Sequence, residues 1–141
     1  MSDGVISRRD ISHGLARRLI DGAIAEAERI GVSMAISVVD RGLHLVAAAR
    51  MDGTPLGAMD LAFGKAHTAA AWGAPSGEFF QSTQPGGADW AFTTTGPHVV
   101  VYAGGLPILH EGETIGAIGA SGGTAEQDEW CVAAALRACG L

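Results

Sequence analysis

The chain contains a single lysine, and its position points to a chemical role. Lys65 lies in an alanine-rich stretch, residues 57–73, that predicts a helix, and it shares the apolar side of that helix with Leu61 and Trp72. A charge on that side must reach solvent, pair with a carboxylate or face a pocket. Asp52, which follows a predicted strand, is a candidate partner. Such a pair would either hold a carboxylate-bearing ligand or tie the helix to the neighbouring strands, and both interpretations stay open.

A glycine turn at residues 121–123 is the second candidate site. It follows an apolar strand and precedes a helix for which Thr124 and Gln127 have the spacing of a capping box. The turn matches neither a P-loop nor the G-x-G-x-x-G fingerprint, and Glu126 in the first helical turn would repel a phosphate. The turn is therefore predicted either to reverse the chain only, or to contact a carboxylate or carbonyl group of a ligand through its backbone.

Five histidines supply further candidates. Their spacing forms no H-x-H or H-x-x-x-H pair and no cysteine–histidine cluster, so a structural zinc site is not predicted. His98 begins a predicted strand beside a long loop rich in Pro, Gly, Ser and Thr, residues 74–97, and is a candidate pocket residue because such loops often cover a site. The sequence has no G-x-S-x-G motif and gives no support for acyl transfer.

The elements that must position these residues follow the order α-β-β-α-β-β-β-α. The short turns between most strands predict antiparallel pairing, and the fold class is α/β (α+β), with a five-stranded antiparallel sheet on which helices pack. Helices are predicted at residues 8–30, 57–73 and 124–139, and strands at residues 33–39, 43–50, 98–104, 107–112 and 114–121.

Composition and charge narrow the class of protein. Of the 141 residues 48% are hydrophobic and 17% are charged, which predicts one globular domain spanning residues 1–141. The net charge of −6 argues against nucleic acid or an anionic membrane as a partner. There is no apolar run of transmembrane length and no secretory signal, so a cytoplasmic location is expected. The cysteines, Cys131 and Cys139, are expected to be reduced thiols.

Five segments in order resemble the GlcG/HbpS family of haem-binding and haem-degrading proteins. They are residues 36–53, 64–72, 84–87, 104–108 and 116–128. The resemblance implies a profilin-like, three-layer α/β/α domain that assembles as a homo-oligomer, from dimer to octamer. It also implies a relationship to the C-terminal domain of PduO-type cobalamin adenosyltransferases. Because some members bind haem, haem is the cofactor that this resemblance makes possible.

The resemblance also implies which residues line or shape a ligand pocket. His67 stands where members of the family often carry Tyr or Arg, so it could add an acid–base group or an iron ligand. His13, in the first predicted helix, is a candidate haem-iron ligand on imidazole chemistry alone. The motif positions that would line or shape the pocket are Arg50, Asp52, Lys65, Gln84, Gly104, Gly105, Pro107, Ser121, Gly122, Gly123 and Glu126. His98 is a further ligand-binding candidate because of its place beside the long loop, and not because of the resemblance.

Two functions of different classes remain. The first is a small-molecule-binding domain, most readily for haem or another tetrapyrrole, with aromatic residues of the long loop as apolar walls. These are Phe79, Phe80, Trp90 and Phe92. The second is a cofactor-independent isomerase, tautomerase, lyase or hydrolase acting on a small carboxylate or aromatic catabolite. In that enzyme Arg50 and Lys65 would hold the carboxylate, and the proton would be moved by His67, Asp52 or Glu126.

Overall fold

The computed structural model describes residues 3–141, in which three α-helices pack on a four-stranded sheet. The strand order is β2-β1-β4-β3 and every neighbouring pair is antiparallel. No helix in this part of the chain is both long and apolar enough to cross a membrane. The elements are α1 (His13–Ile30), β1 (Ala35–Asp40), β2 (Leu45–Arg50), α2 (Ala58–Trp72), β3 (Gly105–His110), β4 (Glu113–Ser121) and α3 (Ala125–Ala138).

The predicted fifth strand is wrong, although the α/β class is confirmed. Residues 98–104 belong to no strand, and their backbone is anchored by side-chain hydroxyls rather than by a ladder. The Thr68 hydroxyl donates to the carbonyl oxygen of His98 at 3.3 Å and accepts from the amide of Val100 at 3.0 Å. Because helix α2 satisfies these polar groups, the valine-rich segment lies along that helix and not in the sheet.

The first helix also begins later than predicted. Its N-cap is Ser12, whose side chain accepts from the amide of Leu15 at 3.1 Å, and it ends at Gly31 in the left-handed conformation. The residues before it are held elsewhere, because the amide of Ile11 donates to the carbonyl oxygen of Ile115 in β4 at 3.1 Å. The expected start at residue 8 is therefore wrong.

Helices α1 and α3 pack side by side on one face of the sheet and enclose the larger core. The two central strands, β1 and β4, supply Ile36 and Ile118 to this face, and both side chains are fully buried. Leu19 of α1 and Val132 of α3 meet them, also with no exposed surface. Apolar burial of this extent is the main stabilising contribution to the fold.

Helix α2 covers the other face of the sheet at very short range. The residues between them are small, with Val39 and Ala117 of the sheet packed against Ala66 and Ala69 of the helix. A Cβ atom at Gly119 of β4 would overlap the backbone oxygen of Ala62 in α2. Glycine inside a strand is typical of a close approach, and the neighbour here is the backbone of α2.

Gly119→Ala should therefore destabilise the protein, by about 3 kcal/mol in the free energy of unfolding, because the new methyl group must push the helix away from the sheet. Gly57→Ala is the matched control, since Gly57 has a φ of −78° and nothing within 4 Å of the added Cβ. Its effect should stay below about 1 kcal/mol. Urea unfolding followed by circular dichroism checks both variants, and equal stabilities would contradict the close approach.

Candidate functional site

Lys65 forms a fully buried ion pair with Asp128. Its Nζ atom lies 2.8 Å from Oδ2 of Asp128 and 3.0 Å from the carbonyl oxygen of Ala120, to which it also donates. Both charged side chains are only 3% exposed. The partner proposed from the sequence, Asp52, is wrong: it lies in an exposed turn after β2, whereas Asp128 faces Lys65 from the first turns of α3.

The glycine turn supports this ion pair from the other side. Oδ1 of Asp128 accepts from the amide of Gly123 at 2.9 Å, so both carboxylate oxygens have a partner. The predicted capping box is present: the Gln127 amide donates to the Thr124 hydroxyl, and the Gln127 side chain accepts from the Thr124 amide. The polar groups of this helix start are thus used within the fold.

Gly104 and Gly105 let β3 begin beside the ion pair. A Cβ atom at Gly104 would lie 2.9 Å from Nζ of Lys65, and one at Gly105 would overlap the backbone oxygen of Lys65. Both glycines are buried. These bonds and contacts support the structural interpretation of Lys65, in which the ion pair ties α2 to β4 and α3.

A cleft of about 650 Å³ opens on the other side of α2. It lies between edge strand β2, the first half of α2 and the segment that begins at Pro97. Its lining is mostly apolar, and Asp60 and His98 are its only ionisable members. The lining residues are Ser37, Leu45, Ala48, Met59, Asp60, Leu61, Phe63, Gly64, Pro97, His98 and Val100.

Phe63 and His98 line this cleft, and both of their rings contact the imidazole ring of His67. The ring of Phe63 meets that of His98 edge to face, with 5.0 Å between centroids, and the ring of His67 lies 5.1 Å from that of His98. Burial lowers the pKa of His67, and the neighbouring His98 lowers it further. The neutral form of His67, whose ring carries a lone pair for a proton or a metal ion, is therefore favoured.

The other predicted site residues are dispersed. Arg50 is exposed at the end of β2, His13 is exposed at the start of α1, and Pro107 lies within β3. The side-chain amide of Gln84 donates to the carbonyl oxygen of Phe80 at 2.8 Å, inside the long loop. Of the residues named from the sequence as ligand-binding, His98 is the one that lines the 650 Å³ cleft.

The three residues predicted to move a proton lie in different parts of the structure and share no cleft within residues 3–141. His67 lies beside His98 on α2. Asp52 is exposed in the turn after β2. Glu126 is exposed on the first turn of α3, where it lines a different cleft with Arg29 and Trp130.

Most loop aromatics pack on the structure instead of lining the cleft. The rings of Phe79 and Phe92 lie 5.5 Å apart, and that of Phe92 lies 5.5 Å from the ring of Trp72 at the end of α2. The apolar residues that form the walls of the cleft were not predicted from the sequence. Leu45 is on an exposed edge strand and gave no signal, whereas Asp60, Gly64 and His67 have the helical spacing that places them on one face of α2.

Residues 11–137 match the family model described as haem degrading protein HbpS-like. The chain belongs to the HbpS-like family. The resemblance seen in the sequence is thereby confirmed. This HbpS-like chain is 34% identical over 127 residues to a 15.0 kDa protein of the dhaT–dhaS intergenic region of Citrobacter freundii, covering 89% of each chain.

Solved structures agree. Protein ORFY of Klebsiella pneumoniae superposes with a TM-score of 0.94 at 29% identity, covering 97% of this chain and 95% of that one. The PduOC:heme complex superposes with a TM-score of 0.87 at 30% identity, covering 92% of this chain and 94% of that one. The HbpS-like fold described above is therefore shared over nearly its full length.

A separate contact joins α1 to α3 in this HbpS-like chain. Glu26 accepts from Arg29 in the same helix and from the indole nitrogen of Trp130 in α3, the latter at 2.8 Å. The hydrogen bonds of Arg29, and then of Trp130, lower the pKa of Glu26 from 4.5 to about 2. The ionised carboxylate is thus favoured in the folded state.

Breaking the buried ion pair on one side should be costly. Lys65→Met leaves the Asp128 carboxylate buried without its counter-ion, and we expect a loss of about 3–5 kcal/mol in the free energy of unfolding. The double variant Lys65→Met with Asp128→Asn should recover part of that loss, because Asn removes the charge and still accepts from Gly123. A double-mutant cycle by urea unfolding measures the coupling, and strictly additive effects would contradict the pair.

The Glu26 contact predicts a dependence of stability on pH. Because the pKa of Glu26 is lower in the folded state, its contribution is fully present above about pH 4.5 and is lost as the pH falls towards 2. Glu26→Gln should lose less stability than the wild type over that interval, whereas the exposed neighbour Glu28→Gln should behave as the wild type. Urea midpoints measured from pH 6 to pH 2 test this, and parallel curves for all three proteins would exclude the contribution.

Proposed function

We propose that this chain binds haem in the cleft between β2, α2 and the segment from Pro97, with His98 as the iron ligand. The family to which the chain belongs is described as haem-degrading, and a relative of the same fold is in complex with heme. One observation carries the proposal: an exposed imidazole stands on the rim of a cleft whose walls are mainly apolar.

The residues present fit the group. A haem site needs apolar walls for the macrocycle and an axial ligand for the iron. Leu45, Met59, Leu61 and Phe63 supply apolar walls, and the volume of about 650 Å³ lies in the range of small-molecule sites. His98 supplies the ligand, an imidazole of the kind that holds haem iron in many proteins.

Each of these residues has a definite task in the proposed site. A ring nitrogen of His98 would hold the iron, and the edge-to-face contact with Phe63 restrains the orientation of that ring. The aliphatic and aromatic walls keep water from the buried part of the ligand. Bound haem would supply a redox-active iron, and its potential would depend on the histidine that holds it and on these apolar walls.

The enzyme hypothesis has less support. The candidate proton-transfer residues His67, Asp52 and Glu126 share no described cleft, and no cation is among the residues that line the 650 Å³ cleft. His13 remains an alternative iron ligand. Assembly as a homo-oligomer, from dimer to octamer, also stays a proposal, and the exposed side chains of Trp72, Trp90 and Trp130 support it by offering apolar surface to a second copy.

A haemin titration followed by the Soret band tests the haem proposal. The wild type should show a saturable band at one haem per chain, and His98→Ala should weaken binding by at least about tenfold and shift the band, since it removes the ligand. His13→Ala and His110→Ala, both at exposed histidines, should titrate as the wild type.

The alternatives give different results. Loss of the band in His13→Ala alone would move the site to the start of α1 and contradict the cleft. Non-saturating absorbance in every protein would refute haem binding.

A further inference from the structure

We infer that His67 and His98 together bind a divalent transition-metal ion, such as Cu²⁺ or Zn²⁺, at the rim of the cleft, and that this ion withholds His98 from haem. The metal site stands on its own observations. The competition with haem rests on the proposed function.

The separation of the two rings suits a shared metal ion. Their centroids lie 5.1 Å apart and their planes are inclined by 53°. An ion about 2.1 Å from one nitrogen of each ring lies roughly 3.2 Å from each centroid, and a tetrahedral angle at the ion then places the centroids about 5.2 Å apart. The separation of the two ring centroids thus matches the one that a bridging ion requires.

The backbone around both histidines is fixed before any ion binds. His67 is on α2, and the next residue, Thr68, bonds through its hydroxyl to the carbonyl oxygen of His98 and to the amide of Val100. Phe63, one turn earlier on α2, contacts both imidazole rings, at 5.0 Å and 5.9 Å between centroids. Little ordering therefore remains to oppose binding.

The nitrogen atoms of the two rings are available. Within residues 3–141 neither imidazole makes a hydrogen bond to another protein group, so no such bond must be broken. Burial and the neighbouring imidazole lower the pKa of His67, and so protons compete less with a metal ion for its lone pair near neutral pH.

The charges around the cleft favour the binding of a cation. The chain carries a net charge of −6, and Asp60 lines the same cleft as His98. No group of three or more His, Cys, Asp or Glu side chains gathers anywhere in the described part of the chain, so water must complete the coordination. Two imidazoles with water favour Cu²⁺ over Zn²⁺ and give a readily exchangeable site.

The first measurement is Cu²⁺ binding to the metal-free protein by isothermal titration, with electron paramagnetic resonance to report the nitrogen ligands. The wild type should bind one ion through two imidazole nitrogens. His67→Gln and His98→Ala should each weaken binding by at least about tenfold and lose one nitrogen, whereas His13→Ala should not. Circular dichroism confirms that each variant is folded. Unchanged binding in both His67→Gln and His98→Ala would refute the site.

The second measurement is the haemin titration repeated with Zn²⁺ added. Zn²⁺ should weaken haem binding to the wild type and leave His67→Gln unaffected, because that variant keeps His98 but lacks the second metal ligand. If the wild type binds no haem while Cu²⁺ binding depends on both histidines, the proposed function fails and the metal site stands. If haem binds through His98 but no metal ion binds, the proposed function stands and the metal site fails. If Zn²⁺ inhibits haem binding equally in the wild type and in His67→Gln, the competition is refuted.

Discussion

Helix α2 lies so close to the sheet that glycine and alanine occupy their closest contacts, and this spacing governs the rest of the structure. At Gly105 and Gly119 an added Cβ would overlap the backbone of the helix. The same spacing brings the side chain of Lys65 to Asp128 and to a β4 carbonyl. Removing two charges from water is costly, and here that cost is offset because the ammonium and both carboxylate oxygens are hydrogen-bonded.

The two sides of α2 have different tasks. The side that faces the sheet holds the ion pair, which fixes the helix relative to β4 and α3. The opposite side carries Phe63 and His67, and the chain from Pro97 crosses it at Gly64, where a Cβ would overlap the side chain of Val100. The cleft therefore exists because a segment that could have extended the sheet lies on the helix instead.

The sequence predicts the parts of this structure that depend on local patterns. The capping box at Thr124 and the burial side of Lys65 follow from spacing along one element, and both are correct. The strand predicted at residues 98–104 is wrong because a run of valines has the same propensity in a strand and in an extended segment bonded to Thr68. The predicted partner of Lys65 is wrong for a related reason. An aspartate near the start of a helix, such as Asp128, is also favoured by the helix dipole, and no local pattern shows that its side chain turns inward.

Because the ion pair and the cleft lie on opposite sides of α2, the chemistry of the cleft decides which ligand it suits. A small carboxylate would need a cation, and the only lysine is already enclosed in the ion pair, whereas the residues lining the cleft include Asp60 and no cation. Imidazole rings beside apolar walls favour coordination instead of charge pairing. A tetrapyrrole meets that requirement, because its apolar ring can be buried against Met59 and Leu61 while its anionic ends remain in solvent. The same argument explains why a bare metal ion would compete for the site, because both proposed ligands would use the lone pair of His98.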